Sequence, residues 1–252
     1  MGAILTDRVA VITGGSRGIG RATALAAARR GFRVVVGYAT NKAAADDVVA
    51  QIGASNGKAI AVKCDVARES DILALFEAAD KFGTLGALIN NAGIVGKTSR
   101  LDEMSAERIA QMMAVNVTGS LLCAREAVKR MSTRHGGNGG VIVNLSSVAA
   151  KLGAANTYID YAASKGAIDS FTLGLGYEVA AEGIRVAAIR PGLIDTEIHA
   201  SGGEPDRAHR LAGNVPMKRV GTAEEIANAI VWLMSDDASY VTSAILDVSG
   251  GR

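Results

Sequence analysis

Aromatic side chains are scarce, 4% of 252 residues, which excludes an aromatic-rich core and leaves packing to alanine and the branched aliphatics. Hydrophobic residues still make up 49% of the chain, enough to cover both faces of a buried sheet with closely approaching helices. Cysteine is nearly absent. Cys64, in a strand-like segment, and Cys123, in a helix-like one, are the only two. Two isolated thiols exclude a disulfide framework and a zinc site, which needs more ligands at closer spacing, so both are expected buried and reduced and no metal is expected. The net charge of +2 is spread over 27 basic and 25 acidic residues. No block of one sign is long enough for an electrostatic tail or a stripe for nucleic acid. No apolar run reaches the ~18 residues of a membrane helix, and residues 1–7 carry no basic stretch followed by an apolar one. The expectation is a soluble, cytoplasmic chain with neither a membrane nor a nucleic acid as partner.

What the chain does have is alternation. Apolar strand-like runs recur at 8–13, 33–36, 59–62, 87–89, 141–145, 185–189 and 244–248, with helical periodicity between most of them. That pattern predicts crossover helices on a parallel sheet. Runs such as Val34-Val35-Val36 and Val141-Ile142-Val143 are apolar at every position, as strands covered on both faces should be. With no shift in composition and no internal repeat, residues 1–252 read as one α/β domain. It is expected to be a doubly wound Rossmann fold with a mainly parallel sheet of about seven strands. Two stretches break the rhythm. Residues 133–140 read as a flexible surface turn, and residues 192–214, polar and glycine-rich beyond a strand's carboxyl end where ligands of such sheets bind, read as a mobile substrate lid.

The first strand runs into Thr13-Gly14-Gly15-Ser16-Arg17-Gly18-Ile19-Gly20 and then an alanine-rich helical segment. Glycines there let the backbone turn tightly and approach a pyrophosphate, held by the N–H groups of the helix N-terminus. The spacing, Gly14-x-x-x-Gly18-x-Gly20, is not G-x-G-x-x-G. A cofactor lacking the 2′-phosphate usually meets a carboxylate about 20 residues further on. Here that region reads Val36-Gly37-Tyr38-Ala39-Thr40-Asn41-Lys42, with no carboxylate until Asp46. Arg17 in the turn, with Tyr38, Thr40, Asn41 and Lys42, offers donors to a phosphate, so NADP(H) is preferred over NAD(H).

Tyr161-x-x-x-Lys165 adds the chemistry. Hydride transfer to or from a carbonyl carbon needs a group that moves a proton at the oxygen. A tyrosine does so if a nearby cation lowers its pKa from about 10, and a lysine four residues on shares its helix face. A hydroxyl ending the fifth strand, Ser147 with Ser146 as competitor, can stabilise charge on the substrate oxygen.

These motifs, with Asn90-Asn91-Ala92-Gly93, Val115-Asn116-Val117, Asn144-Leu145-Ser146-Ser147 and Asp247-Val248-Ser249-Gly250-Gly251, resemble the short-chain dehydrogenase/reductase family over essentially the whole chain. The resemblance implies a catalytic set of Asn116, Ser147, Tyr161 and Lys165. In it the second serine is favoured, Lys165 also meets the nicotinamide ribose, and Asn116 kinks its helix and holds a relay water; a solvent-facing Asn116 is the alternative. It implies cofactor contacts from Gly14, Ser16, Arg17, Gly18, Ile19, Gly20 and Tyr38, then Asp65 and Val66 at the adenine, with helix capping as the rival role for Asp65. Asn91, Ala92 and Gly93 position the cofactor, and Pro191, Gly192, Ile194 and Thr196 close over the carboxamide. The Ser147-to-Tyr161 spacing is longer than usual for the family, and Asn156 and Tyr158 in the extra length are expected to line the pocket. His199 and His209 fall in the lid without metal-ligand company. Ser243 stands where the family usually has glycine and Ser249 where it has aspartate. The implied activity is NADP(H)-dependent interconversion of a ketone or aldehyde with a secondary alcohol, with sugars or polyols and 3-oxoacyl thioesters as precedents. A non-catalytic NADP(H) sensor or scaffold is the alternative. A homotetramer, paired through residues 106–131, 161–181 and 244–248, is the implied assembly.

Overall fold

The computed structural model describes residues 8–197, 202–204 and 206–252. Seven strands form one all-parallel sheet in the order β3-β2-β1-β4-β5-β6-β7. They are β1 Arg8–Ile12, β2 Arg33–Tyr38, β3 Ala59–Lys63, β4 Thr84–Asn90, β5 Gly140–Leu145, β6 Ile184–Pro191 and β7 Ala244–Val248. Successive residues of the central strands go to opposite cores: Ala10, Ile12, Val34, Val36, Val141 and Val143 to one, Val9, Val11, Val35 and Ile142 to the other. This is why those runs are apolar throughout. Helices α1 (Gly18–Arg29), α2 (Lys42–Ala54) and α9 (Ala223–Met234) bring their buried residues to the first face. Helices α3 (Glu69–Phe82), α5 (Gly119–Met131) and α7 (Ile159–Val179) serve the second. The remaining helices are α4 (Ala106–Met113), α6 (Ala149–Leu152) and α8 (Arg207–Leu211). The fold is thus a single Rossmann-like domain, and none of its described helices is long and apolar enough to cross a membrane.

Winding reverses between β1 and β4, because β2 and β3 extend the sheet one way and β4 to β7 the other. A crevice opens at the strands' carboxyl ends on such a switch point. Asn90 at the end of β4 donates to the Asn144 side chain at 2.9 Å and to the Ser120 carbonyl at 3.1 Å, and Asn144 donates to Thr172 of α7 at 2.9 Å. This buried chain ties β4, β5, α5 and α7 together directly beneath the crevice.

The stretch 133–140 is better anchored than the flexible turn expected. Gly139, at φ +72°, is buried and donates to the Met131 carbonyl at 2.7 Å, while the Arg8 guanidinium donates to the Gly139 carbonyl at 2.9 Å. A Cβ at Gly139 would come 2.5 Å from the Gly183 carbonyl oxygen, so its glycines serve close packing as well as turning.

Candidate active site

The crevice holds two adjoining cavities that share Ile19, Asn91, Gly93 and Thr196. One, of about 430 Å³, lies over the ends of β5 and β6; the other, of about 390 Å³, lies over the glycine turn.

Gly14, Ser16, Arg17, Gly18, Asp65, Val66 and Ala92 line the second cavity. Gly14 and Gly18 take φ of +62° and +51°, a conformation that favours glycine. No side chain caps α1 and no acidic residue sits in its first turn, so its leading N–H groups are left for an anion. Gly20 does not line either cavity. A Cβ there would sit 2.3 Å from the Gly14 carbonyl oxygen, so its task is to let the turn close on the helix. Thr13 opens the motif and proves central to it: its hydroxyl accepts from the Asn91 and Ala92 N–H groups at 3.1 and 3.0 Å, and Asn91 donates to the Thr13 and Gly14 carbonyls at 2.8 and 2.9 Å. Asp65 accepts from the Ala67 N–H at 3.0 Å in a turn before α3, whose N-cap is Arg68, so it is not that helix's cap. The uncapped helix end and the turn's open space fit a dinucleotide pyrophosphate.

Around the expected 2′-phosphate, Arg17, Thr40 and Asn41 line the cavity. Tyr38 does not: it is the last residue of β2 and packs in the core. Lys42 pairs with Asp46 at 2.6 Å on the surface, and the Asn41 side chain caps α2 by accepting from Ala44 at 3.0 Å.

The first cavity is lined by Ser147, Tyr161, Lys165, Pro191, Gly192, Ile194 and Thr196. Tyr161 lies in the first turn of α7, half-buried, with Ser147 close enough to its hydroxyl to favour the ionised form. Ser146 is buried and donates instead to the Lys165 carbonyl at 3.2 Å. Lys165 is buried one turn on, its ammonium 5.6 Å from the Tyr161 ring centre and donating to the Leu145 carbonyl at 2.6 Å. The expected lowering of the tyrosine is not seen. Burial pushes the Tyr161 hydroxyl up to about 12, moderated by the nearby Ser147 side chain, and brings Lys165 down to about 8 against the pull of Asp169. A Cβ on Gly93 would reach 3.7 Å from the Lys165 ammonium, so this glycine keeps the space beside it open.

Asn116 is buried, not solvent-facing, in a π-helical turn over 114–118 between α4 and α5. Its side chain accepts from the Ile94 N–H at 2.8 Å and donates to the Ile94 carbonyl at 3.0 Å and the Ser164 hydroxyl at 3.1 Å. The strand-like pairing pins the loop after β4 beside Lys165. Arg108 grips the buried Asp160 with two nitrogens at 2.9 and 3.2 Å and the Lys97 carbonyl at 2.7 Å, fixing the start of α7.

Tyr158 lines the cavity as expected, edge-on to Tyr161 at 5.9 Å. Asn156 does not. It is exposed at φ +58°, and Leu152, Ala154, Ala155 and Thr157 line the cavity in its place. Of residues 192–214, Arg207 also lines it, and Glu204 accepts from Thr98, Arg207 and Arg210. His209 sits on the surface 3.4 Å from Asp195, and His199 lies outside the described residues. Arg207 and Arg252, both in the wall, were not read from the sequence; a cation following the polar loop was the available signal for the first. Cys64 and Cys123 are buried and free, and burial raises both thiols, that of Cys64 to about 12.

Comparison with known proteins settles the family. A family model described as Enoyl-(Acyl carrier protein) reductase matches residues 14–252. An uncharacterized oxidoreductase, YgfF of Escherichia coli, is 54% identical over 97% of this chain and 99% of its own. The chain belongs to the short-chain dehydrogenase/reductase family. Glucose 1-dehydrogenase 2 of Bacillus subtilis is 38% identical (98% and 95% covered), and 3-oxoacyl-[acyl-carrier-protein] reductase of Synechocystis is 39% identical (98% and 97%). Among solved structures, a mutant Serratia marcescens short-chain dehydrogenase/reductase superposes with a TM-score of 0.90 at 31% identity, 99% of each chain covered. A blue fluorescent protein from a metagenomic library in complex with NADPH gives 0.90 at 30%, again 99% of each. This short-chain dehydrogenase/reductase is therefore an oxidoreductase acting on CH–OH donors.

Proposed function

We propose that the protein is an NADP(H)-dependent enzyme that interconverts a ketone or aldehyde and a secondary alcohol, with Tyr161 as general acid and base. The observation that carries this is the grouping of Tyr161, Ser147 and, one helical turn on, the buried Lys165 in the wall of the cavity that adjoins the glycine-turn cavity. The nicotinamide supplies the hydride to the carbonyl carbon, or takes it back. In reduction, Ser147 donates to the carbonyl oxygen and Tyr161 delivers its proton there; in oxidation it takes the proton away. Lys165, with an ammonium acidic enough to release a proton near pH 8, faces the Tyr161 ring and returns the proton. Asn116, whose amide is fully engaged by Ile94 and Ser164, acts as a positioning residue for the wall beside Lys165.

Gly14, Ser16, Gly18 and Ile19 would hold the pyrophosphate, with Gly20 letting the turn close, Asp65 and Val66 the adenine edge, and Asn91, Ala92, Gly93, Pro191, Gly192, Ile194 and Thr196 the nicotinamide half. NADP(H) is supported by the missing carboxylate after β2, by Arg17, Thr40 and Asn41 in the cavity wall and by NADPH in a structural relative. Residues 192–214, of which 198–201 and 205 lie outside the described residues, serve as the substrate lid, and the working form is a cytoplasmic homotetramer. A glucose dehydrogenase and a 3-oxoacyl reductase among the relatives support sugar-type or oxoacyl substrates.

The test is consumption of NADPH, with NADH in parallel, across aldoses, oxoacyl thioesters, oxo acids and simple ketones. Turnover at least about tenfold better with NADPH, and a preference reduced in Arg17→Ala by one lost charge-assisted contact, is expected. Equal or better use of NADH would contradict the cofactor assignment.

A further inference from the structure

The wall of the substrate cavity carries an unbalanced charge. Among the described residues, its ionisable acids and bases, tyrosines aside, are Lys165, Arg207 and Arg252, and no aspartate or glutamate lines it. Lys165 is engaged with the Leu145 carbonyl. Arg207 is not comparably satisfied. Its side chain is 15% exposed, and its Nε–H is buried with no acceptor among the described residues. Its Nη1 makes only long contacts, 3.2 and 3.4 Å, to a Glu204 carboxylate that also accepts from Thr98 and Arg210. The guanidinium stacks 4.9 Å from the centre of the Tyr158 ring, which is itself edge-on to Tyr161 at 5.9 Å. Arg207 therefore stands one aromatic ring away from the proton donor. The charge of Arg252 reaches the same Tyr158.

A buried guanidinium with an unused donor seeks an acceptor, and a planar carboxylate is the group its fork matches best. Val95, Val148, Leu152 and Leu193 line the same cavity as Arg207, Tyr161 and Ser147, an apolar wall suited to a short aliphatic body. Resting on the carbonyl-reductase reading above, we infer that the substrate is an oxo acid whose carboxylate is received by Arg207, and that Arg207 is the specificity-determining residue of the site. Glu204 holds the guanidinium in place until the substrate carboxylate takes up the free donor.

The experiment compares levulinate with methyl levulinate, and acetoacetate with methyl acetoacetate, as substrates of the wild type, Arg207→Met and Arg207→Lys, each checked for an unchanged melting temperature. One charge-assisted contact corresponds to about 10- to 100-fold in kcat/KM. The wild type should favour each acid over its ester by that factor. Arg207→Met should lose it on the acids, chiefly through KM, and stay within about threefold on the esters, with Arg207→Lys in between. Esters reduced as well as acids by the wild type, or acids and esters affected alike by Arg207→Met, would overturn the inference while leaving the reductase reading intact. If no carbonyl of the wider panel is reduced, that reading fails, and calorimetric titration of levulinate decides the anion site alone. Binding at least tenfold weaker in Arg207→Met supports it; no binding, or equal binding, overturns it.

Discussion

Lys165 shows at the scale of a single residue how catalysis and stability oppose each other. Its pKa is lowered from 10.5 to about 8 by burial, which means the folded chain resists the charge that the unfolded chain carries freely. Between those two values the unfolded state binds more protons, so stability rises with pH across that window and the penalty is full below pH 8. Lys165→Met removes the penalty and also the bond to Leu145, worth about 1 kcal/mol. The variant should therefore be more stable than wild type at pH 7 by about 1–2 kcal/mol, with the advantage lost and slightly reversed by pH 10.5, where only the missing bond to Leu145 counts, while turnover is lost. Melting curves of both proteins from pH 6 to 11 check this; a variant less stable at every pH would show that burial does not oppose the charge. Tyr161 and Lys165 were legible because a helix repeats, so spacing alone places two side chains on one face. Tyr38 and Asn156 were not, since whether a side chain at a strand end or in a loop turns to the cleft or away is decided by packing that no local pattern records.

The elements carry their own strain. Ser243, just before β7, adopts φ +50° and sits against Gly176 of α7, where a Cβ would meet the Ser243 hydroxyl oxygen at 2.2 Å. The left-handed conformation costs a non-glycine residue about 1 kcal/mol, and the turn's useful bonds, Ser243 N–H to the Val186 carbonyl at 2.7 Å and Val186 N–H to the Thr242 hydroxyl at 3.1 Å, do not need the serine side chain. Ser243→Gly is expected to stabilise the fold by about 0.5–1 kcal/mol with activity unchanged, read from denaturant midpoints. A loss of stability would mean that the 3.5 Å contact of the serine hydroxyl to the Leu173 carbonyl matters more than the backbone. The sequence marked this position only as a departure from the family's glycine. The central strands were legible because they are apolar on both faces, but strand ends were not: β4 begins at Thr84 and β6 runs on to Pro191, beyond the apolar runs at 87–89 and 185–189, because backbone pairing continues where the side-chain pattern has stopped. The π-turn at Asn116 was signalled by the resemblance alone, which implied a kinked helix there, since the helical period continues through it.

For the whole molecule, alternation of strands and helices indicated a parallel sheet, whereas the reversal between β1 and β4 that opens the cleft depends on strand order, which periodicity does not contain. The proposed tetramer belongs to this scale. Leu121 of α5, Leu173 and Tyr177 of α7 and Leu246 of β7 are exposed, Tyr177 at 79%, and all fall in the three segments expected to pair. Apolar side chains gathered on such faces mark contact surfaces. Light scattering should give four times the chain mass of 25.8 kDa, and Tyr177→Glu with Leu246→Lys should reduce it to two chains or one. A monomeric wild type would contradict the assembly.

The central claim is that Tyr161, with Ser147 and Lys165 in the same cavity wall, moves the proton while the nucleotide is held elsewhere in the cleft. Its most direct test is NADPH binding and NADPH-dependent carbonyl reduction measured side by side in the wild type and in Tyr161→Phe. The account predicts equal binding, with turnover falling by about 10²–10⁴-fold in the variant. Turnover retained in Tyr161→Phe at the wild-type level would contradict it.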